Sequence, residues 1–187
     1  MEIRQARIAD VPAIAELVDR FARQGEVLPR KVEEIYQTVR EWMVAEHDGQ
    51  LLGCGSLVIL WSDMAEVRSL VVVPEAQGMG IGRRLVAGLL AQATELDLTQ
   101  VIALTRQPRF FLKQGFRIVP RDSLPRKMWK DCVHCLRLDN CDEVAMLRPV
   151  CVRTEEPDAF APMIGGANGR GAGLRPDSFL VSLGPGI

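Results

Sequence analysis

The sequence predicts a mixed α/β fold: a central sheet with parallel and antiparallel pairs, flanked by helices. Three observations carry this. A hairpin pattern comes first, with Met43 to Glu46 and Gln50 to Leu60 flanking His47-Asp48-Gly49, and Asp-Gly suits a tight turn. A strand–turn–helix unit follows. Its strand, Val67 to Val73, ends in the unbroken run Leu70-Val71-Val72-Val73, which suits burial on both faces. Its helix sets Leu85, Val86, Leu89 and Leu90 on one side. The third observation is another short apolar strand, Gln100 to Thr105. Strand, helix, strand predicts a parallel pair beside the hairpin pairs.

The remaining elements fall around this centre. Ile3 to Arg7 alternates as a first strand. Asp10 is positioned to N-cap a helix with Pro12 in its first turn. Ile14, Leu17, Val18 and Phe21 form that helix's apolar face, and Gly25 stops it. Glu26 to Arg30 is a connector. Lys31 to Arg40 has helical spacing, with Val32, Ile35, Tyr36 and Val39 expected inward. Ser62-Asp63 is a turn, and Pro74 closes the central strand because it cannot donate a ladder bond. Phe110 to Gln114 is a short helix stopped by Gly115, and Phe116 to Val119 is a strand. Ser123 is expected to cap a turn over Pro125 to Lys130, Cys132 to Cys141 to form a loop, and Val144 to Leu147 a last strand. From about residue 150 glycine, proline and charge dominate without apolar periodicity. A domain over residues 1–149 and a flexible tail over 150–187 are therefore expected, with Phe179-Leu180-Val181 a small apolar island in the tail.

Size and composition narrow the classes. With 187 residues, 48% hydrophobic and 25% charged, one soluble domain with a sizeable core is expected. A net charge of −1 offers no global field for nucleic acid or an anionic membrane. No apolar run approaches bilayer-spanning length, and MEIRQARIAD has no apolar leader core. The five cysteines are then expected as reduced thiols in the cytoplasm. A homodimer stays open.

The turn Gln77-Gly78-Met79-Gly80-Ile81-Gly82 between strand and helix is the chemical centre. The first amides of a helix lack internal partners and carry partial positive charge, so they attract anions. Glycines let backbone approach a phosphate. Arg83 and Arg84 add charge at the helix end where cations are unfavourable unless an anion is bound. The spacing is neither the Gly-x-Gly-x-x-Gly of a dinucleotide fold nor a P-loop.

The longer string Val72-x-Pro74-x-x-Gln77-Gly78-x-Gly80-Ile81-Gly82-x-x-Leu85 resembles the acetyl-CoA motif of the GNAT acetyltransferases. Phe110-Phe111-Leu112-Lys113-Gln114-Gly115-Phe116 resembles that family's second signature, Phe-Tyr-x-Lys-x-Gly-Phe. The resemblance implies a GNAT fold with acetyl-CoA as co-substrate. It implies that Gln77, Gly78, Met79, Gly80, Ile81, Gly82 and Arg83 hold the pyrophosphate. Leu70, Val71 and Val73, on a splayed strand end, would meet the pantetheine, and Phe110, Phe111 and Lys113 would pack along the cofactor. Phe111 stands where many members place a tyrosine that protonates the leaving thiolate, and phenylalanine cannot do so. Plain core packing is the other reading of these phenylalanines.

A narrower likeness is to the amino-acid N-acetyltransferases that make N-acetylglutamate for arginine biosynthesis, in the short form without a kinase-like domain. It rests on Glu66 to Val72, on Leu104-Thr105 ahead of the aromatic pair, and on Val27-Leu28-Pro29-Arg30. The chain from Leu124 to Met146 also resembles the short form. The likeness implies L-glutamate as acceptor, met by Leu28 and Arg30, with Glu66 as base.

The chemistry asks for the same kinds of group. An ammonium must lose a proton before it attacks a thioester, and Glu66 can take it through water. A strand amide near Val71 suits the oxyanion. Thr105 is the candidate to pass a proton to the thiolate. Arg30 suits an acceptor carboxylate because guanidinium forks match it, with Arg68 and Lys127 next. Each also has a structural reading: Glu66 as a solvated strand end, Thr105 as a β-former, Arg30 as a surface arginine. Cys132, Cys135 and Cys141, with His134 and Cys151, invite a zinc reading, but His134 and Cys135 are adjacent and no second Cys-x2-Cys completes a ribbon, so no metal is expected. Two further readings stay open: transfer to another small-molecule or protein amine, and a non-catalytic acetyl-CoA-binding module.

Overall fold

The computed structural model describes residues 1–124 and 141–150. Its strands are β1 (Glu2–Gln5), β2 (Trp42–His47), β3 (Gln50–Trp61), β4 (Met64–Val72), β5 (Gln100–Thr105), β6 (Arg117–Ile118) and β7 (Val144–Pro149). Among the described residues they form one sheet in the order β1-β2-β3-β4-β5-β7-β6. β4 and β5 pair in parallel, and the other described pairs are antiparallel. The helices are α1 (Val11–Arg23), α2 (Val32–Gln37), α3 (Ile81–Glu95) and α4 (Pro108–Leu112). The mixed α/β expectation holds. So does the Asp48-Gly49 turn, where both residues take positive φ (50° and 77°) as a type I′ hairpin needs.

Two apolar layers enclose the sheet. On one face Val86, Leu89, Leu90 and Ala93 of α3 pack on Leu57, Ala65, Val67, Val101 and Ala103. On the other, Val11, Ile14, Val18 and Phe21 of α1 pack on Trp42, Val44, Cys54 and Val71. Burying each such side chain contributes about 1.5–3 kcal/mol, so the four of α1 anchor it far more firmly than helix propensity could. Glu66 and Leu104 follow the strand alternation onto the α1 face, opposite Val67 and Ala103.

Several local expectations change. Asp10 ends a 3-10 turn, Ile8–Asp10, and occupies the N-cap position of α1 as expected, but its side chain makes no capping hydrogen bond there. Its carboxylate accepts hydrogen bonds from Arg4 Nη1 (2.7 Å) and Nη2 (2.8 Å) and from the Arg7 amide (2.7 Å). A guanidinium fork outcompetes a capping contact. Arg4 also reaches Glu46 Oε2 (2.5 Å), so one cation ties β1, β2 and the entry to α1. The Lys31 to Arg40 helix is shorter than expected. It ends at Gln37 and gives way to a 3-10 turn, Val39–Glu41. Ile35 is buried, but Val32 and Tyr36 are exposed, because a six-residue helix presents only one inward position to α1. Lys127, the Pro125 to Lys130 turn, Cys132, His134, Cys135, Cys151 and all but the first residue of the expected tail lie outside the described residues.

The central strand differs most. It starts at Met64, three residues before the expected Val67, and Leu70 and Val72 are only half-buried. Cys54 pairs with Val71 but Ser56 pairs with Arg68, so two steps on β3 match three on β4. The extra residue is a bulge at Ser69, whose φ of 49° is unusual for a residue with a side chain. β3 accommodates it with glycines. A Cβ on Gly53 would lie 2.8 Å from the Val71 carbonyl oxygen, and one on Gly55 would lie 3.0 Å from Leu70. β4 bends, and its pairing with β5 stops at Glu66–Ile102 although both strands continue.

Two outcomes follow. Gly53→Ala should destabilise the fold by about 1–3 kcal/mol in urea unfolding, because the backbone of β4 must move. The Arg4 guanidinium holds the Asp10 carboxyl below its ordinary value. Its stabilisation is therefore complete above the unfolded-state value near 4 and is lost as pH falls through the lower folded value. The stability gap between wild type and Asp10→Asn should be on the order of 1–3 kcal/mol at pH 7 and should narrow as pH falls through the lowered folded value.

Candidate active site

Where β4 and β5 part, the sheet opens a cavity of about 1000 Å³. It runs from the α1–α2 connection, through the gap between the strands, to the N-terminus of α3. The glycine turn builds its far end. Gly78 and Gly80 take φ values of 78° and 80°, which only glycine adopts without strain. The first hydrogen bond of α3 runs from the Arg84 amide to the Gly80 carbonyl (3.1 Å), so the amides just ahead of Arg84 have no partner within the helix. Nothing lies within 4 Å of where a Cβ on Gly78 would sit, which leaves an open cradle. Gln77 secures the turn by donating from Nε2 to the Val72 carbonyl (3.1 Å). Gly82 faces Phe110, and a Cβ there would touch the ring at 3.4 Å.

Most of the site residues expected from the sequence meet in this cavity. Glu66, Arg68, Leu70 and Val71 enter from β4, and Gln77, Gly78, Gly80, Ile81, Gly82 and Arg83 from the turn and α3. Thr105, Phe110, Phe111 and Lys113 come from β5 and the α4 region, and Leu28 and Arg30 from the α1–α2 connection. Val73 and Met79 are not among the lining residues. The Val73 amide is taken by the Leu52 carbonyl (2.9 Å), and Met79 is 67% exposed. Glu26, Ser69, Gln107 and Glu143 line the wall and were missed. Glycines 53 and 55, two residues apart on one strand, were the available signal for Ser69.

The α1 side of the cavity is dense with charge. Glu66 is 6% exposed, so it is no solvated strand end. Its Oε2 receives Arg68 Nε (2.6 Å) and Nη2 (2.6 Å), and the Ser56 hydroxyl donates to the Arg68 carbonyl (3.3 Å). Burial raises the Glu41 carboxyl above its ordinary value, and nearby Arg68 and Arg30 oppose that shift. Arg30 and Arg68 thus both act electrostatically on the Glu41 carboxyl, a link that sequence spacing did not reveal. Thr105 is buried, and its hydroxyl oxygen accepts the Gln107 amide (2.9 Å), leaving its proton to be donated elsewhere. Phe111 packs edge-on against Phe110 and Phe116, with ring centroids 5.1 Å apart in both pairs, so its ring serves the core as well as the wall. Among the described residues no three His, Cys, Asp or Glu side chains converge as a metal site. No described helix is long and apolar enough to cross a membrane.

A glycine turn feeding a helix, set beside two parallel strands that part, marks a class of protein that uses an acyl-CoA. Residues 12–116 match the acetyltransferase (GNAT) family, and the chain belongs to it. It is an acetyl-CoA-dependent N-acetyltransferase. An uncharacterized N-acetyltransferase of Chlorobaculum tepidum is 36% identical over 146 residues, covering 78% of this chain and 94% of that one. The amino-acid acetyltransferase of Mycobacterium tuberculosis is 44% identical over 118 residues, covering 61% and 67%. The N-acetylglutamate synthase of Neisseria gonorrhoeae, complexed with coenzyme A and N-acetyl-glutamate, superposes with a TM-score of 0.72 at 32% identity. That match covers 80% of this chain and 35% of the synthase, so the chain spans about a third of that enzyme's length.

The open cradle yields one outcome. In Gly78→Ala the new methyl meets no protein atom, so the folded state suffers only backbone strain of about 1–2 kcal/mol. Acetyl-CoA affinity, measured by calorimetry, should fall by roughly tenfold or more as the methyl blocks phosphate approach.

Proposed function

We propose that this chain moves acetyl from acetyl-CoA to the α-amine of L-glutamate by direct transfer in a ternary complex, forming N-acetylglutamate for arginine biosynthesis. The observation that carries the reading is the joining of Leu28, Arg30 and the Glu66–Arg68 pair in one cavity with the glycine turn. The amino-acid acetyltransferases among its relatives and the bound N-acetyl-glutamate of the synthase support the same acceptor class.

In this reading the turn amides and Arg83 hold the pyrophosphate, and the bent end of β4 meets the pantetheine. Arg30 and Arg68 take the acceptor's carboxylates, since guanidinium matches them in charge and geometry. Glu66 receives the ammonium proton through water. A strand amide near Val71 stabilises the oxyanion. The Thr105 hydroxyl, held by the Gln107 amide, passes a proton to the departing thiolate, because Phe111 has no hydroxyl to offer. One observation favours a different amine as a second reading: Glu26 and Glu143 add negative charge to the acceptor wall, which suits a more cationic acceptor.

Thiol release measured over a panel of amino acids and other amines separates the two. L-glutamate should lead the panel. Arg30→Ala should raise the KM for glutamate by roughly tenfold or more, the scale of a lost charge-assisted contact, while the KM for acetyl-CoA changes far less. A panel led by a cationic amine, or equal small changes in both constants, would remove glutamate as the acceptor.

A further inference from the structure

The mechanism above leaves unassigned a carboxylate that lines the cavity. Glu143 precedes β7 and is half-buried. Among the described residues its side chain has one partner, the Cys141 thiol, 3.9 Å from Oε2. A thiol at that distance is a weak donor and no counter-ion. Glu66 is unlike it in both respects, being buried and ion-paired with Arg68. Two carboxylates thus share one cavity, one neutralised from within the protein and one facing a space that a cation could enter.

Strand register places them at different depths. Glu66 is level with Ile102 on β5, and Ile102 is level with Leu147 on β7. Thr105 is level with Val144, so Glu143 stands one step beyond the end of β5. At about 3.3 Å per residue, the two carboxylate-bearing residues are separated by roughly 13 Å along the strands. Pairing of β4 with β5 ends at Glu66, so the gap that admits a thioester lies toward Glu143. Alternation also sets Glu143 on the α1 face with Leu104, opposite Thr105. An amine attacking a thioester in that gap arrives from the α1 face, near Glu143 and well above Glu66.

We propose that Glu143 is the counter-ion for the acceptor's ammonium, the residue that selects a primary amine at the cavity mouth before Glu66 draws off its proton. This rests on the reading of the chain as a transferase to an amino-acid amine. The group recognised is a primary ammonium on a carbon that also carries a carboxylate. Glu143 holds the ammonium by a charge-assisted hydrogen bond, and Arg30 and Arg68 hold the anionic part.

The test compares the acceptor with an analogue that lacks only the amine. For L-glutamate that analogue is glutarate, used as a competitive inhibitor of the full-length enzyme. In Glu143→Gln the KM for glutamate should rise at least tenfold, while the Ki of glutarate and the KM of acetyl-CoA each change less than twofold. Glu143→Asp keeps the charge and should recover part of the preference for the amine. A merely structural residue would weaken glutamate and glutarate together, and that result, or an unchanged KM for glutamate, overturns the proposal. If the wild-type panel is led by another amine, the glutamate reading fails by itself. The same comparison, made with that amine and its desamino analogue, then decides Glu143.

Discussion

One additional residue in β4 makes this molecule an enzyme scaffold. A sheet with β4 and β5 paired along their full length would have no room for a thioester between them. The bulge at Ser69 consumes an extra residue, turns β4 away, and ends the parallel pairing at Glu66–Ile102. Such a distortion has a cost, because Ser69 sits at φ 49°. It persists because β3 offers glycines where the displaced strand passes within 2.8 Å and 3.0 Å of where Cβ atoms would be. The cavity, the bent strand end and the approach from either face all depend on it.

The two faces of the sheet then divide the labour. The α3 face brings the glycine turn and α4, with unpartnered amides and the cations Arg83 and Lys113. The α1 face brings the connection carrying Leu28 and Arg30, together with Glu66 and Arg68. Electrostatics keeps the second face ordered. A buried carboxylate alone would be costly, and Glu66 is compensated by two guanidinium contacts on a single oxygen. Ser56 fixes the Arg68 backbone from the neighbouring strand. The charge pair belongs to the sheet, not to a loop, so it is held in place before any ligand arrives.

Much was legible in the residue order, for local reasons. Asp48-Gly49 specifies a hairpin because both positions need positive φ. The Gln77–Gly82 turn reads as a candidate anion site because glycines ahead of an amphipathic run leave the first helix amides approachable. Where local rules competed with distant partners they failed. Asp10 has every attribute of an N-cap, yet Arg4 takes its carboxylate. Tyr36 has the spacing of a core position, yet the helix is too short to turn it inward.

The sequence by itself determined the mixed sheet, the parallel pair, the glycine turn between strand and helix and the kinds of side chain the proposed chemistry requires. Periodicity, glycine and charge are read within a few residues of one another, and that suffices for these. Tertiary structure alone decided that β4 parts from β5, that Glu66 is buried with Arg68 on it, that Glu41 feels both Arg30 and Arg68, and that Glu143 lines the cavity. The parting of β4 from β5 and the place of Glu143 depend on register between strands distant in sequence, the surroundings of Glu66 and Glu41 on burial, and both are properties of the packed fold, absent from any single segment of the chain.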